Sequence, residues 1–348
     1  MKHRWIAGAL AACLLLAGCG EAQEASAGSA QADAAQAVSK ELFAMDTYMT
    51  VTAYGENGAQ AVDAAQEEIE RLDALLSTGS SDSEVSALNA AGTAQLSDDS
   101  AALVSRALAI SESTGGAFDI TVYPLMQAWG FADDAYRVPP DSELAALLAR
   151  VGSGQLDWDE DSGTLTLGEG QAIDFGGIAK GYTSGRIMAL FDEYSVESGM
   201  VSLGGNVHVY GAKPDGSRWR VGIQDPADSG EIAGVLEVTD CAVITSGGYE
   251  RCFEQDGTTY HHILDPSTGR PADSGLASVT IVSADGTLAD GLSTALFVMG
   301  AAQAVEYWRQ HADEFDAVLI ADDGTILVTA GIADVFSSDR PFETVAQT

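Results

Sequence analysis

A chain of 348 residues with 52 acidic and only 16 basic side chains carries a formal net charge of −36, which repels a phosphate backbone and excludes nucleic acid as a partner. Hydrophobic residues make up 46% of it, enough for a sizeable core, and no Cys/His spacing of a zinc site occurs. So acidic a chain needs local positive charge or a metal wherever it holds a phosphate.

Lys2 and Arg4 precede an apolar run over 6–16 that is too short to span a bilayer as a stable helix. Leu16-Ala17-Gly18-Cys19 closes the run with small residues and a cysteine, a box that resembles a bacterial lipoprotein signal. The resemblance implies a signal peptide over 1–18 and a lipid on Cys19. It also implies anchoring at the outer face of the bacterial cytoplasmic membrane. Residues 19–39 have no large apolar side chain before Val38, the composition of a flexible tether. A folded domain is expected over 40–337 and a C-terminal tail over 338–348. A body of roughly 310 residues suffices for one large domain or two closely packed halves. Cys241 and Cys252 are the cysteines outside the signal, and both a disulfide and a pair of thiols are open to them.

Residues 42–54 are rich in β-branched and aromatic side chains and predict a strand. Val62, Ala65, Ile69, Leu72 and Leu76 recur at helical spacing and predict a helix over 59–76. Ser81 and Glu84 form a capping-box pattern that opens a short helix toward Leu88. Leu103, Ala107 and Ile110 mark a helix closed by Gly115-Gly116, and Pro139-Pro140-Asp141 begins another over 142–151. Strands are then expected at 154–158, 163–167, 199–203, 206–210, 218–223, 234–245, 249–255, 258–264 and 276–283. Helices at 178–193, 287–299 and 303–311 interrupt them. A last hairpin, 316–320 with 324–330, turns at Asp322-Asp323-Gly324. The pattern is α+β with mainly antiparallel sheets and packed helices. The first strand is not followed by Gly-x-Gly-x-x-Gly, which disfavours a dinucleotide-binding parallel fold.

Three polar clusters can carry chemistry. In Asp174-Phe-Gly-Gly-Ile-Ala-Lys180-Gly181 an acid precedes a glycine pair and a lysine stands at the mouth of a helix, the parts of an anion site. Asp290 and Thr294 are four apart on one helix face and offer hard oxygen ligands for Mg²⁺ or Ca²⁺. In Tyr260-His261-His262-Ile263-Leu264-Asp265-Pro266 two adjacent histidines point to opposite faces of a strand, so at most one serves a given site as a general base. The polar turns 116–124, 202–206, 222–226 and 245–249 could each be a simple connection, or could border the same site.

Seven segments taken together resemble the ApbE-type FAD:protein FMN transferases. In order they are Met45-Asp-Thr, Ser83-Glu-Val-Ser-Ala-Leu-Asn89, Gly116-Ala-Phe-Asp-Ile-Thr-Val, Asp174-Phe-Gly-Gly-Ile-Ala-Lys-Gly, Leu203-Gly-Gly-Asn, His262-Ile-Leu-Asp-Pro-Ser-Thr-Gly-Arg-Pro and Ala289-Asp-Gly-Leu-Ser-Thr-Ala-Leu. The resemblance implies two closely associated subdomains that form a flavin cleft. It implies that Met45, Ala117, Phe118, Asp119, Asp174, Lys180 and Leu264 contact FAD, with Gly204, Gly205 and Asn206 lining the same cleft. The carbonyl of Gly177, with Asp290 and Thr294, would hold Mg²⁺, and His262 would be the catalytic histidine. The implied reaction moves FMN from FAD to a Ser or Thr hydroxyl of an exported FMN-binding or respiratory electron-transfer protein, with release of AMP. Gly79 stands where many members carry a stacking aromatic, and Tyr48 and Tyr123 are the candidate replacements. Asp46 stands where members usually carry glycine. Two other readings use the same site: an Mg²⁺-dependent FAD pyrophosphatase, and a lipoprotein that binds flavin without chemistry.

Overall fold

The structure, a computed structural model, describes residues 37–348. The expected signal peptide, the lipidated Cys19 and most of the tether lie outside the described residues. The described residues begin with a hairpin of Val38–Ala44 (β1) and Thr47–Tyr54 (β2), not the single strand expected over 42–54. Met45 and Asp46 reverse it with φ of 47° and 58°, the two left-handed residues of a tight hairpin turn. Asparagine or glycine ordinarily signals such a turn, and a methionine there gives no warning in the sequence.

Seven further strands complete one large sheet: β3 (Ser198–Leu203), β4 (Asn206–Tyr210), β5 (Cys241–Gly247), β6 (Leu276–Ser283), β7 (Asp316–Ala321), β8 (Ile326–Thr329) and β9 (Glu343–Val345). Strand order in the sheet follows chain order from β1 to β9. Every neighbouring pair is antiparallel except β8 and β9. The segment 338–348, expected as a tail, thus contributes an edge strand. The sheet's middle is buried on both faces, so its strands read as continuous apolar runs. In β7, Ala317 and Leu319 join one core while Val318 and Ile320 join the other, as the two-residue period of a strand requires. A three-stranded sheet (Trp219–Asp225, Asp228–Val238 and Phe336–Ser337) covers the second face. The expected strand over 234–245 is therefore two strands in two sheets. Asp240, at φ 50° and pinned by Gly211 N–H at 2.6 Å, turns the chain between them.

Helices cover the first face: α1 (Gly58–Leu76), α2 (Glu84–Ala91), α3 (Asp98–Ser113), α4 (Tyr123–Trp129), α5 (Asp141–Leu148), α6 (Ala179–Glu193) and α7 (Gly286–Gln310). The five apolar positions that predicted α1 are all buried in it. The cap of α2 is Ser83, whose hydroxyl accepts from Ser86 N–H at 3.0 Å, and not Ser81. Glu84 instead accepts from the backbone and hydroxyl of Ser97. Helix α4 begins at the end of the stretch 116–124 read as a polar turn and runs on to Trp129, with Pro124 in its first turn, where a missing N–H costs nothing. The strand expected at 154–158 is a 3₁₀ turn at Ser153–Gln155 followed by a short strand at Asp157–Asp159. Helix α7 is apolar and long enough to cross a bilayer, but it is a core helix packed on β5, β6 and α6. Gly300, at φ 76°, breaks it where two helices were expected.

Both remaining cysteines are free thiols: Cys252 is exposed, and burial pushes the half-buried Cys241 up to about 12. His208, on β4, is buried, which pushes its pKa from the ordinary 6.5 down to about 4, against the pull of Asp285 and Asp240. Between those values the unfolded chain binds the proton and the fold does not, so stability falls as pH drops from 6.5 toward 4. At pH 5 the loss from this one residue is on the order of 2 kcal/mol. His208→Asn, which cannot titrate, should lose less stability than the parent between pH 7 and 5 in urea melts. Equal losses would contradict the burial account.

Candidate active site

The predicted cleft is flanked by the α6–α7 face and by a smaller unit built from α4, α5 and the hairpin Cys252–Gln255 with Thr258–His261. That unit has its own core of Leu125, Trp129, Phe131, Leu144 and Leu264. On one wall, Phe118 ends the turn after α3, and its ring lies 3.1 Å from where a Cβ on Gly177 would sit. Asp174 N–H donates to Ile120 C=O at 2.9 Å and ties the two loops together. Gly177 also faces Thr294, whose hydroxyl is 3.6 Å from the same Cβ position. The predicted turn and the predicted ligand set therefore meet in space.

Helix α6 starts without a side-chain cap and without an acid in its first turn. Lys180 stands there instead, against the usual preference of a helix N-terminus for negative charge. Its charge reaches Asp174, Glu250 and His262. Desolvation raises the pKa of Asp174, although Gly176 N–H donates to its Oδ1 at 2.9 Å. Desolvation pushes Glu250 up to about 7, with the Asp290 charge acting in the same direction and Lys180 against it. Glu250 still presents a face to solvent, so it can exchange a proton with water.

Asp290, 3% exposed, accepts from Gly181 N–H through Oδ2 at 2.8 Å and from Asn206 Nδ2 through Oδ1 at 3.0 Å. Both partners are neutral, so this buried carboxylate has no cation beside it among the described residues. Buried charges are paired or bind metals, and each Asp290 oxygen keeps a lone pair free. With the Thr294 hydroxyl and the Gly177 peptide nearby, the donor set is hard oxygen and fits a divalent cation. Ser246, at the end of β5, lies 2.8 Å from Ser293 Oγ and 3.4 Å from Thr294 Oγ1. It borders the cluster, and the sequence marked it only through the polar turn 245–249.

His262 ends the ladder that pairs Cys252 with His261, so the strand expected over 258–264 is broken there. Its Nδ1 lies 3.2 Å from Arg251 C=O, which can only accept. The ring proton is therefore on Nδ1, and Nε2 keeps its lone pair. Desolvation lowers the His262 pKa to about 3, with the Arg251 and Lys180 charges acting in the same direction. His261 is turned to the structure: its Nε2 lies 3.1 Å from Ala272 C=O and its ring packs edge-on against Phe297.

The other expected contacts are placed as follows. Met45 touches α6, with Thr183 Oγ1 3.9 Å from its sulfur. Ala117 is half-buried beside Phe118. Asp119 spends both oxygens on the chain itself, on Thr121 N–H and hydroxyl and on Ser153 N–H at 2.7 Å. Gly204 and Gly205 form the β3–β4 turn at φ 64° and 97°, and a Cβ on Gly204 would meet Thr47 at 2.5 Å. Asn206 serves Asp290, and the Leu264 side chain is in the small core while its backbone pairs with Pro271. Of the two candidate aromatics, Tyr123 is the one beside the gap at Gly79, with its hydroxyl 3.4 Å from Thr78 C=O. Tyr48 is 69% exposed and pairs with Phe43.

The two helices that carry the oxygen cluster cross at glycines. A Cβ on Gly181 would sit 2.1 Å from Gly286 C=O and 2.5 Å from Asp290 Cβ. Gly181→Ala must push α6 and α7 apart and should cost about 1–3 kcal/mol of stability. It should also weaken divalent-cation binding, read by calorimetry. Unchanged cation affinity would show that the crossing does not set the cluster.

The sequence profile of the ApbE family matches residues 45–319. The chain belongs to the ApbE family. The FAD:protein FMN transferase of Treponema pallidum (strain Nichols) is 36% identical over 310 residues, covering 83% of this chain and 85% of that one. The protein of the same name from Klebsiella pneumoniae (strain 342) is 34% identical, over 75% and 82% of the two chains. Among solved structures, the ApbE protein of Thermotoga maritima superposes with a TM-score of 0.82 at 31% identity, over 86% of this chain and 99% of that one. The flavin transferase ApbE of Vibrio cholerae superposes at 0.78 with 29% identity, over 86% and 99%. The ApbE match spans every element of the cleft from Met45 to Thr294.

Proposed function

We propose that the protein transfers the FMN half of FAD to a Ser or Thr hydroxyl of an exported acceptor protein and releases AMP. The observation that carries the reading is His262: neutral, with Nδ1 spent on Arg251 C=O and Nε2 free, on the cleft that gathers Lys180 and the Asp290–Thr294 oxygens. The names of the relatives support FAD and a protein as the two substrates.

The FAD pyrophosphate fits the N-terminal end of α6, where Lys180 and the glycine peptides offset its charge. The acceptor hydroxyl oxygen attacks the phosphorus on the FMN side. The bond from that phosphorus to the bridging oxygen breaks, and AMP leaves with the oxygen. His262 Nε2 takes the hydroxyl proton. A bound Mg²⁺, held by Asp290, Thr294 and the Gly177 carbonyl, supplies neutralisation of the pyrophosphate oxygens; Ca²⁺ meets the same oxygen donors. A negative pyrophosphate near His262 would offset the Lys180 and Arg251 charges and make its lone pair more basic.

The acceptor class favoured is an exported FMN-binding domain of an electron-transfer protein. The Leu16–Cys19 box supports a lipid anchor on Cys19 at the outer face of the cytoplasmic membrane. Chromatography of a reaction with FAD, Mg²⁺ and a purified FMN-binding domain tests the reading. AMP without free FMN is expected. Equal FMN and AMP with an unmodified acceptor would identify a pyrophosphatase, and intact bound FAD a flavin carrier.

A further inference from the structure

Buried hydrogen bonds meet at the Gly181 backbone behind the oxygen cluster and have no part in the reaction as derived. Ser184 Oγ, on α6, lies 2.8 Å from Gly181 C=O and 2.9 Å from His208 Nδ1. A carbonyl only accepts, so the single hydroxyl proton points to Gly181, and the hydroxyl must then accept from His208 Nδ1–H. Two directions are thereby fixed: His208 donates to Ser184 and Ser184 to Gly181 C=O, while Gly181 N–H, in the preceding peptide group, donates to Asp290 Oδ2. Ser184 and His208 are both buried, 1% and 4% exposed. Asn206, two residues before His208 and on the same side of β4, reaches the other oxygen of Asp290.

The position of the Ser184–His208 pair matters as much as its bonds. A Cβ on Gly286 would sit 2.5 Å from Ser184 Oγ and 3.2 Å from His208 Nδ1. The pair is wedged at the crossing of α6 and α7, between the segment that carries Gly177 and the helix that carries Asp290 and Thr294. Buried and satisfied, these contacts hold the Gly181 backbone from its carbonyl side while Asp290 holds it from the N–H side.

We infer that Ser184 and His208 are positioning residues that hold Asp290 and the α6–α7 crossing in the geometry a divalent cation requires. The inference rests on Asp290 as a cation ligand. Outer partners of this kind typically change metal affinity roughly 10–100-fold when removed. Neither residue touches substrate, so FAD affinity without metal should not depend on them.

The test is a Mn²⁺ titration followed by electron paramagnetic resonance of free Mn²⁺, at a temperature where circular dichroism shows each variant folded. Ser184→Ala and His208→Ala are expected to bind Mn²⁺ at least about 10-fold more weakly than the parent. His208→Asn keeps an N–H donor at the Nδ1 position and should bind close to the parent. FAD affinity in EDTA, read by flavin fluorescence, should be the same in all four. Parental Mn²⁺ affinity in Ser184→Ala and His208→Ala would overturn the inference, as would failure of His208→Asn to rescue. Mn²⁺ binding by the parent that survives Asp290→Asn would sink the ligand assignment itself, a separate outcome.

Discussion

Replacing His262 by alanine is expected to slow FMN transfer roughly 10²–10⁴-fold, the range for removal of a positioned general base. FAD affinity should change little, because His262 acts on the proton of the acceptor and not on the cofactor's phosphates. Arg251 C=O fixes the tautomer, so the geometry allows one finer expectation. His262→Gln places an amide near Nε2 but offers no basic nitrogen, and should be as slow as the alanine variant. Rapid mixing of FAD-loaded protein with acceptor reads both rates. A His262→Ala variant within a few-fold of the parent would remove the histidine from the mechanism.

Asp290→Asn should abolish divalent-cation dependence and lower transfer by at least about 10³-fold, a loss of several kcal/mol of charge stabilisation. The substitution looks mild but is not. The two groups that face Asp290, Gly181 N–H and Asn206 Nδ2, are both donors. An asparagine would have to turn its own amide hydrogens toward one of them, so it loses a hydrogen bond as well as the charge. The variant should still bind FAD, more weakly, through the α6 N-terminus. Transfer by Asp290→Asn at the parental rate in EDTA would show that no cation is held there.

Much of this could be read from the residues. The period of Val62, Ala65, Ile69, Leu72 and Leu76 found α1 within a residue, because a half-buried helix must repeat its apolar face. The Asp174–Gly181 segment and the Asp290/Thr294 pair read as ligand sites because their spacing alone puts the groups on one face or at one helix end. Turns were harder. Met45-Asp46 and Thr239-Asp240 carry no glycine or proline, and the left-handed Asp240 is held by Gly211 N–H, a contact that only the fold supplies. The partners of Asp290 were beyond reach, being 84 and 109 residues away in sequence. Asn206 could be placed near the cleft by its glycine turn, but nothing local says that its amide serves a carboxylate on another helix. The same holds for Arg251, whose backbone fixes the histidine from eleven residues upstream.

The most direct test of the central claim is the intact mass of a purified FMN-binding domain after incubation with the protein, FAD and Mg²⁺. The account predicts a gain of one FMN, lost in EDTA and lost with Asp290→Asn or His262→Ala. An acceptor of unchanged mass beside free FMN and AMP would contradict it.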